Sequence, residues 1–514
     1  MKTVLSFFLL TFAFQLIFAQ QDIKQANYHF KSENYPVAFK LYSKLYKKDT
    51  NNAEYAYRLG ICQLNTNNNP AQALEYLLKV EKERNGDPVY QMDLGRAYMY
   101  NYKFNDAVKH FEECKNKAGK NIDIKEVADL WISMANNAKV MVKNPVDVSF
   151  VNMGKYINSA MDELTPYITP DNEILLYTTN RKFDAQVNLY TYDVYYSYMT
   201  YGYFKKGKQL SAVNSIDDEY IAGVSLTNER IFIQLQGYEG FQDFISSNKK
   251  GKNFMGKTFL NKNVNSKAAE IACYETVSGD TLFFSSDREG GFGGMDIYYS
   301  LKLPTGEWSV PLNLGDKVNT IYDEDYPVIS ADGSKLYFSS NRPQSMGGYD
   351  IFVSNITKNR EFTTPKNIGY PLNDVFDNHT IAFSNNDRYA YVSAIKPDGY
   401  GYTDLYRVVF LQKDPAVKIF KLKFVVQNGD KKNPFAKADT TLKITAYQKG
   451  KVIFGEYAYN PKYSSSTIAL PPGYYTIVVT GKYIEEYSYK VTVPEIPSGS
   501  KFSKKEIILK LKEN

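Results

Sequence analysis

At 514 residues the chain is long enough for about three domains of ~100–200 residues each, and burying a core is no difficulty. Three cysteines, Cys62, Cys114 and Cys273, are too few and too odd a set for a disulfide framework, and three histidines, His29, His110 and His379, are too scattered for a histidine metal cluster. The net charge of +6 is unevenly placed: from Lys413 onward there are 18 Lys, no Arg and 9 acidic residues, net +9, whereas residues 20–412 carry net −4.

The N-terminus runs Met1-Lys2-Thr3, an apolar stretch from Val4 to Phe18, and Ala19-Gln20. A basic start, a short apolar run and a small residue predict a secretory signal peptide over 1–19, cut after Ala19. A retained membrane anchor is the alternative, but about fifteen apolar residues fall short of the ~20 that a spanning helix needs. No later segment is expected to span a bilayer, and no cysteine follows the cut to carry a lipid. Export makes a nucleic-acid partner implausible and a Cys62 to Cys114 bridge conceivable, although spacing cannot bring two Cα atoms together.

Residues 22–143 carry apolar residues at helical spacing and little glycine. They also repeat. Ala26, Gly60 and Gly95 stand 34 and 35 residues apart; Ala38, Ala73 and Ala107 follow them, and Tyr42, Leu77 and Phe111 come four residues later. Small residues let paired helices approach, and the large one fills the space between pairs, as in a helical solenoid. A last helix from about Ile124 to Val142, with Trp131, is expected to cover the end of the stack. The concave face of such an array suits peptides or partner helices; a rigid spacer is the plainer alternative.

Asn144-Pro145 ends the helices. Five times thereafter a strand-like run ends in Asp, an apolar residue and usually an aromatic: Asp193-Val194-Tyr195, Asp243-Phe244-Ile245, Asp296-Ile297-Tyr298, Asp350-Ile351-Phe352 and Asp404-Leu405-Tyr406. A spacing of 50 to 54 residues fits one four-stranded blade, so residues 150–411 predict a β-propeller of five blades. The third and fourth copies are fullest, each with Ser-Asp/Asn-Arg (Arg288, Arg342), a glycine-bearing turn and the Asp strand. The first keeps Thr179-Asn180-Arg181, the second has Ile233-Gln-Leu-Gln236 in its place, and the fifth has Ser393-Ala-Ile395 where Arg would stand.

Residues 418–514 hold half-buried strand patterns such as Thr441–Tyr447, Tyr475–Val479 and Tyr489–Val493, with Pro471-Pro472-Gly473 as a turn. The lysine-rich surface of this small β-domain would attract anionic lipid or polymer surfaces, or serve only to keep it soluble and blunt its edges.

Repetition bears on chemistry, because a catalytic group needs one copy. The recurring Asp193, Asp243, Asp296, Asp350, Asp404, Arg288 and Arg342 are therefore read as structural, Asp capping N–H groups in the turn and Arg pairing with a carboxylate between blades. The Gly-rich turns lie between strands and open no helix, so they are not phosphate loops. A Ser-His-Asp set would have to be built around His379 alone, and no Gly-x-Ser-x-Gly elbow accompanies it. Neither a cofactor nor a metal nor an enzymatic activity is expected. The surplus Tyr195, Tyr196, Tyr198, Tyr201 and Tyr203 form a candidate aromatic contact patch, either a sugar-binding strip or a partner surface.

The helical copies, best in Leu94-Gly95, Tyr98, Ala107 and Phe111, resemble tetratricopeptide repeats. The Ser-Asn-Arg and Gly-Gly-Tyr-Asp-Ile elements resemble TolB-like, WD-type propeller repeats, and the tail resembles a carboxypeptidase regulatory-like domain. The fold expected is thus multi-domain α + β: tetratricopeptide α-solenoid, five-bladed β-propeller and small Ig-like β-sandwich. That order resembles the outer-membrane-associated proteins of the Bacteroidetes type IX secretion and gliding apparatus. The resemblance implies a non-enzymatic periplasmic scaffold docked to outer-membrane or secretion-apparatus proteins. Such proteins often continue into an OmpA-like peptidoglycan-binding domain; the sequence stops at Asn514, which puts that tether in doubt. The rival from another class is a carbohydrate-binding or glycan-processing propeller, whose mark would be a non-repeated carboxylate pair at the propeller mouth.

Overall fold

The computed structural model describes residues 21–512 apart from 67–68, 185–188, 201, 237–241, 252, 360, 385–387, 414–416, 429–430, 436–441, 449–451 and 495–501. The expected signal peptide lies outside the described residues. Among the described residues eight helices come first: α1 (21–31), α2 (Tyr35–Lys48), α3 (Ala53–Thr66), α4 (Pro70–Leu78), the single-turn α5 (Glu81–Arg84), α6 (Pro88–Tyr100), α7 (Phe104–Lys117) and α8 (Ile122–Met141). Four carry start signals legible in sequence, the side chains of Asn52, Asn69, Asp87 and Asn121 accepting from the N–H groups of Tyr55, Gln72, Val89 and Ile124. None is long and apolar enough to cross a membrane.

The small-residue positions are contact points between helices. A Cβ added at Gly60 would lie 2.9 Å from the Leu77 side chain, and one at Gly95 would lie 2.4 Å from the Phe111 ring. Ala26, Ala38, Ala73 and Ala107 are fully buried. Trp131 of α8 stacks on Phe111 at 5.7 Å, so α8 covers α7. The thiols of Cys62, Cys114 and Cys273 are all free and buried.

Among the described residues, the strands from Val148 to Phe410 form five antiparallel sheets, apart from a two-stranded pair of Phe183–Asp184 with Leu189–Tyr190. The first contains Glu163–Ile168, Ile174–Thr179 and Asp193–Thr200, with two short strands, Tyr203–Phe204 and Lys208–Gln209, paired to the last. The second is Asp218–Val224, Arg230–Gln236, Gln242–Lys250 and Asn253–Phe259; the third is Glu270–Glu275, Thr281–Ser286, Asp296–Leu301 and Leu312–Asn313. The fourth is Glu324–Ile329, Lys335–Ser340, Asp350–Asn355 and Lys366–Asn367. The fifth has Ile381–Phe383, Tyr389–Ala394 and Asp404–Phe410, and its outer strand is Val148–Asn152 from before the first sheet, paired Val148 to Phe410 through Asn152 to Tyr406.

The first strands of successive sheets lie side by side, Glu163–Ile168 against Asp218–Val224 on one side and against Ile381–Phe383 on the other. Their inner faces share one apolar cluster that includes Tyr167, Ile221, Tyr274 and Val328.

The helices do not hang free of the sheets. Asn137 of α8 donates to the carbonyls of Pro343 (2.6 Å) and Ser345 (3.0 Å), and Tyr100 and Met134 share a buried cluster with Met346, Val375 and Phe376. The last helix is therefore a joint as well as a cover. The C-terminal strands form two sheets about a core of their own, with Leu422 and Phe424 of one facing Ile444, Ile477 and Val479 of the other. Lys421 and Lys423, alternating with the core residues, point outward.

Candidate functional site

The ring is held by one device used five times. Asn158, Asn214, Asn265, Asn319 and Asn373 each stand in the turn before a sheet and exchange two hydrogen bonds of 2.8–3.1 Å with the backbone of one residue in the sheet before. Those residues are Leu405, Val194, Phe244, Ile297 and Ile351. Each follows one of the repeated Asp residues. A buried amide that satisfies both an N–H and a C=O fixes the angle between neighbouring sheets.

Next to the clamp stands a buried carboxylate. Glu163, Glu219, Glu270 and Glu324 each accept from the N–H and hydroxyl of a Ser or Thr four residues earlier. Arg181, Arg288 and Arg342 then reach Glu163, Glu270 and Glu324 at 2.8–2.9 Å. This corrects the expected pairing between blades: each Arg meets a Glu of its own sheet, because the two strands pair in register. Burial pushes these carboxyls up, and their donors pull them back. In the fifth sheet the parts are exchanged. Asn378 replaces the Glu and accepts from the Asp374 N–H, while Lys396, rather than anything in Ser393–Ile395, supplies the cation at 3.7 Å from Asp374.

The repeated Asp opens the third strand instead of ending a run. Asp296, Asp350 and Asp404 accept from the N–H groups of Phe292, Met346 and Tyr400, four residues earlier, and from the amides of Asn313, Asn367 and Asn152. Asn152 serves the fifth sheet from 252 residues away. Asp193 accepts from Gln209, and Asp243 is half-buried at the edge of the degraded second copy.

The glycine turns have a steric cause. A Cβ at Gly293, Gly347 or Gly401 would lie 2.5–2.7 Å from backbone of the next sheet's turn.

The aromatic patch expected on the first sheet is not assembled. Strand alternation turns Tyr195 inward, where it lies near Tyr177 and Arg181, and sends Tyr196 and Tyr198 to the other face, half-buried. Tyr203 alone of the described four is well exposed, and Tyr201 lies outside the described residues.

One place breaks the repeat. The residue after the buried Glu, or after the Asn378 that replaces it, is Leu164, Tyr220 and Ile271 in the first three sheets but Asp325 and His379 in the last two. Tyr326 has φ 51° at a bulge in the pairing of the fourth sheet, a costly conformation for a large residue. Its ring and that of Tyr349 flank His379 at 5.5 and 4.6 Å. Asp323 accepts from the Tyr349 hydroxyl at 2.7 Å, Asp377 from the Tyr349 N–H at 2.9 Å, and Asp325 from Ser285 and from the Tyr326 N–H.

Burial raises the Asp325 carboxyl to about 6, and the fields of all three carboxylates help raise the Tyr349 phenol. Beside them lies a cavity of about 270 Å³ lined by Thr165, Tyr326, Asp377, His379, Thr380 and Ser393 among others. Sequence reasoning singled out His379 but not Asp325. The signal was there: an ionisable residue at a position that is apolar or aromatic in the other copies. Among the described residues no group of three or more His, Cys, Asp or Glu side chains is placed to hold a metal ion.

No family model matches the sequence, and no curated protein matches it. Solved structures are similar to parts of it. The type III secretion translocator chaperone SycD of Yersinia enterocolitica is 15% identical over 24% of this chain and 85% of its own, TM-score 0.21. A TolB-type structure from Agrobacterium tumefaciens is 15% identical over 50% of this chain and 78% of its own, TM-score 0.30. A glycoside hydrolase is 10% identical over 54% of this chain and 95% of its own, TM-score 0.36.

Proposed function

We propose that this chain is a non-enzymatic adaptor of the cell envelope, exported to the periplasm and docked to outer-membrane or secretion-apparatus proteins of the type IX kind. In this reading the helices are a tetratricopeptide array, the five sheets are the blades of a propeller, and the basic terminal module is an Ig-like, carboxypeptidase regulatory-like sandwich. The observation that carries it is the joint between helices and ring. Tyr100 and Met134 are buried together with Met346, Val375 and Phe376, and Asn137 is bonded to the hairpin of the fourth sheet. A continuous apolar core makes one rigid body of two surfaces of different chemistry, as a docking platform requires. The repeated carboxylates support the same view, since their partners are internal. Mild crosslinking in the native envelope, followed by purification and mass spectrometry, should recover envelope proteins joined to the helical array; recovery of the monomer alone contradicts the reading.

A glycan-binding or glycan-processing propeller is the second reading, favoured by the non-repeated Asp325 and His379 among aromatic rings at the mouth. Glycan-array binding or glycoside hydrolysis that is lost in Asp325→Asn and His379→Ala would support it over the adaptor.

A further inference from the structure

The cavity at the mouth of the ring is furnished unlike the rest of the molecule. Three of its lining atoms, His379 Nδ1, Thr380 Oγ1 and Ser393 Oγ, are buried and have no hydrogen-bond partner among the described residues. Thr380 is only 4% exposed, so water at the surface does not serve it. A buried polar atom left unpaired is unfavourable by about 1–3 kcal/mol, and three around one space mark a place that something else completes.

The kind of ligand follows from charge and shape. All three atoms can accept a hydrogen bond, His379 Nδ1 when its ring proton is on Nε2. The Asp377 carboxylate adds a fourth acceptor at the exposed rim. No Lys or Arg lines the space, and among the described residues no ion pair is made by Asp323, Asp325 or Asp377, so the local field is negative. Arg96 of α6, within reach of the Asp377 charge, faces it from the helices. The rest of the wall is mixed, with an apolar side from Leu164, Ala394 and Ile395 beside Thr165, Tyr326 and Thr403. An ammonium has three donors, no acceptor and a positive charge, and an alkyl stem behind it would lie on the apolar wall.

We propose that this cavity binds a primary alkylammonium group, with Thr380, Ser393 and His379 as acceptors and Asp377 as counter-charge. A lysine side chain of a partner and a free alkylamine share that chemistry. The assignment does not depend on the adaptor reading, since it concerns the cavity alone.

The test is calorimetric titration of the full mature chain with n-butylammonium, with N-acetyl-lysine methylamide, and with two neutral controls, n-butanol and the Nε-acetylated form of the same lysine derivative. Saturable binding of either ammonium probe and none of the controls is expected. Tighter binding of the lysine derivative points to a partner side chain, and tighter binding of butylammonium to a free amine. Thr380→Val and Asp377→Asn, each checked for an unchanged melting temperature, should weaken binding by about tenfold, the worth of one hydrogen bond to a charged group. Should Thr380→Val fail to fold, Ser393→Ala takes its place. Equal binding of the neutral controls, binding of methyl glucoside in preference to ammonium, or no ammonium binding at 50-fold excess over ~1 mM would overturn the proposal.

Discussion

The fourth and fifth sheets solve one problem with different residues. In the fourth, Glu324 and Arg342 lie 2.8 Å apart and fully within the fold; in the fifth, the acid has moved to Asp374, the cation is Lys396 at 3.7 Å, and Asn378 stands in the place of the Glu. The Asn clamp does not change between them, Asn319 and Asn373 making the same exchange with Ile297 and Ile351. What the ring requires is thus the amide clamp and an acceptor for the turn. The ion pair beside it can be rebuilt, and where it was rebuilt the repeat also admitted His379.

Breaking the fourth sheet's ion pair is expected to do most harm. Arg342→Ala leaves Glu324 buried without its cation and should destabilise the fold by about 3–5 kcal/mol in denaturant unfolding, whereas Lys396→Ala in the fifth sheet, whose contact with Asp374 is longer at 3.7 Å, should lose less. Asn319→Ala comes next. It strands the N–H and C=O of Ile297 and should lose about 2–4 kcal/mol by the same measurement.

Asp325 sharpens the contrast by pH. Its carboxyl is raised to about 6 in the fold against about 3.9 in an unfolded chain, so the native state holds the extra proton between those values. Stability should therefore fall by about 2 kcal/mol as pH rises from about 4 to about 6, and Asp325→Asn should flatten that slope. Following the melting temperature of both proteins from pH 3.5 to 7 checks the sign. In the helices, Gly95→Leu, driven into the Phe111 ring, should lose about 1–3 kcal/mol and leave the sheet clamps untouched.

Much of this was legible because repetition is legible. The period of the Asp strands located the sheets, and the Ala and Gly positions located the helix contacts, since both are local patterns of fixed spacing. The clamp was equally periodic, Asn158, Asn214, Asn265, Asn319 and Asn373 recurring at 51 to 56 residues after an aliphatic, yet an Asn in a turn has so many ordinary uses that its spacing alone drew no notice. Asn152 was beyond reach. Its partner Asp404 lies in a strand that only ring closure brings to it.

The tyrosine patch failed for a different reason. Composition marked the residues, but the two-residue alternation of the strand, once its register is fixed, sent Tyr195 and Tyr196 to opposite faces. At the mouth, Asp325 was visible only by comparing one position across all copies, a comparison that requires the register first.

The ring is closed by Val148–Asn152, and Asn158→Ala tests that closure most directly. Asn158 binds Leu405 across 247 residues of sequence, with the same geometry that joins Asn319 to Ile297 over 22. If the ring is closed, this variant should lose about 2–4 kcal/mol, matching Asn319→Ala in equilibrium unfolding. An Asn158→Ala protein as stable as the parent, beside a destabilised Asn319→Ala protein, would contradict it.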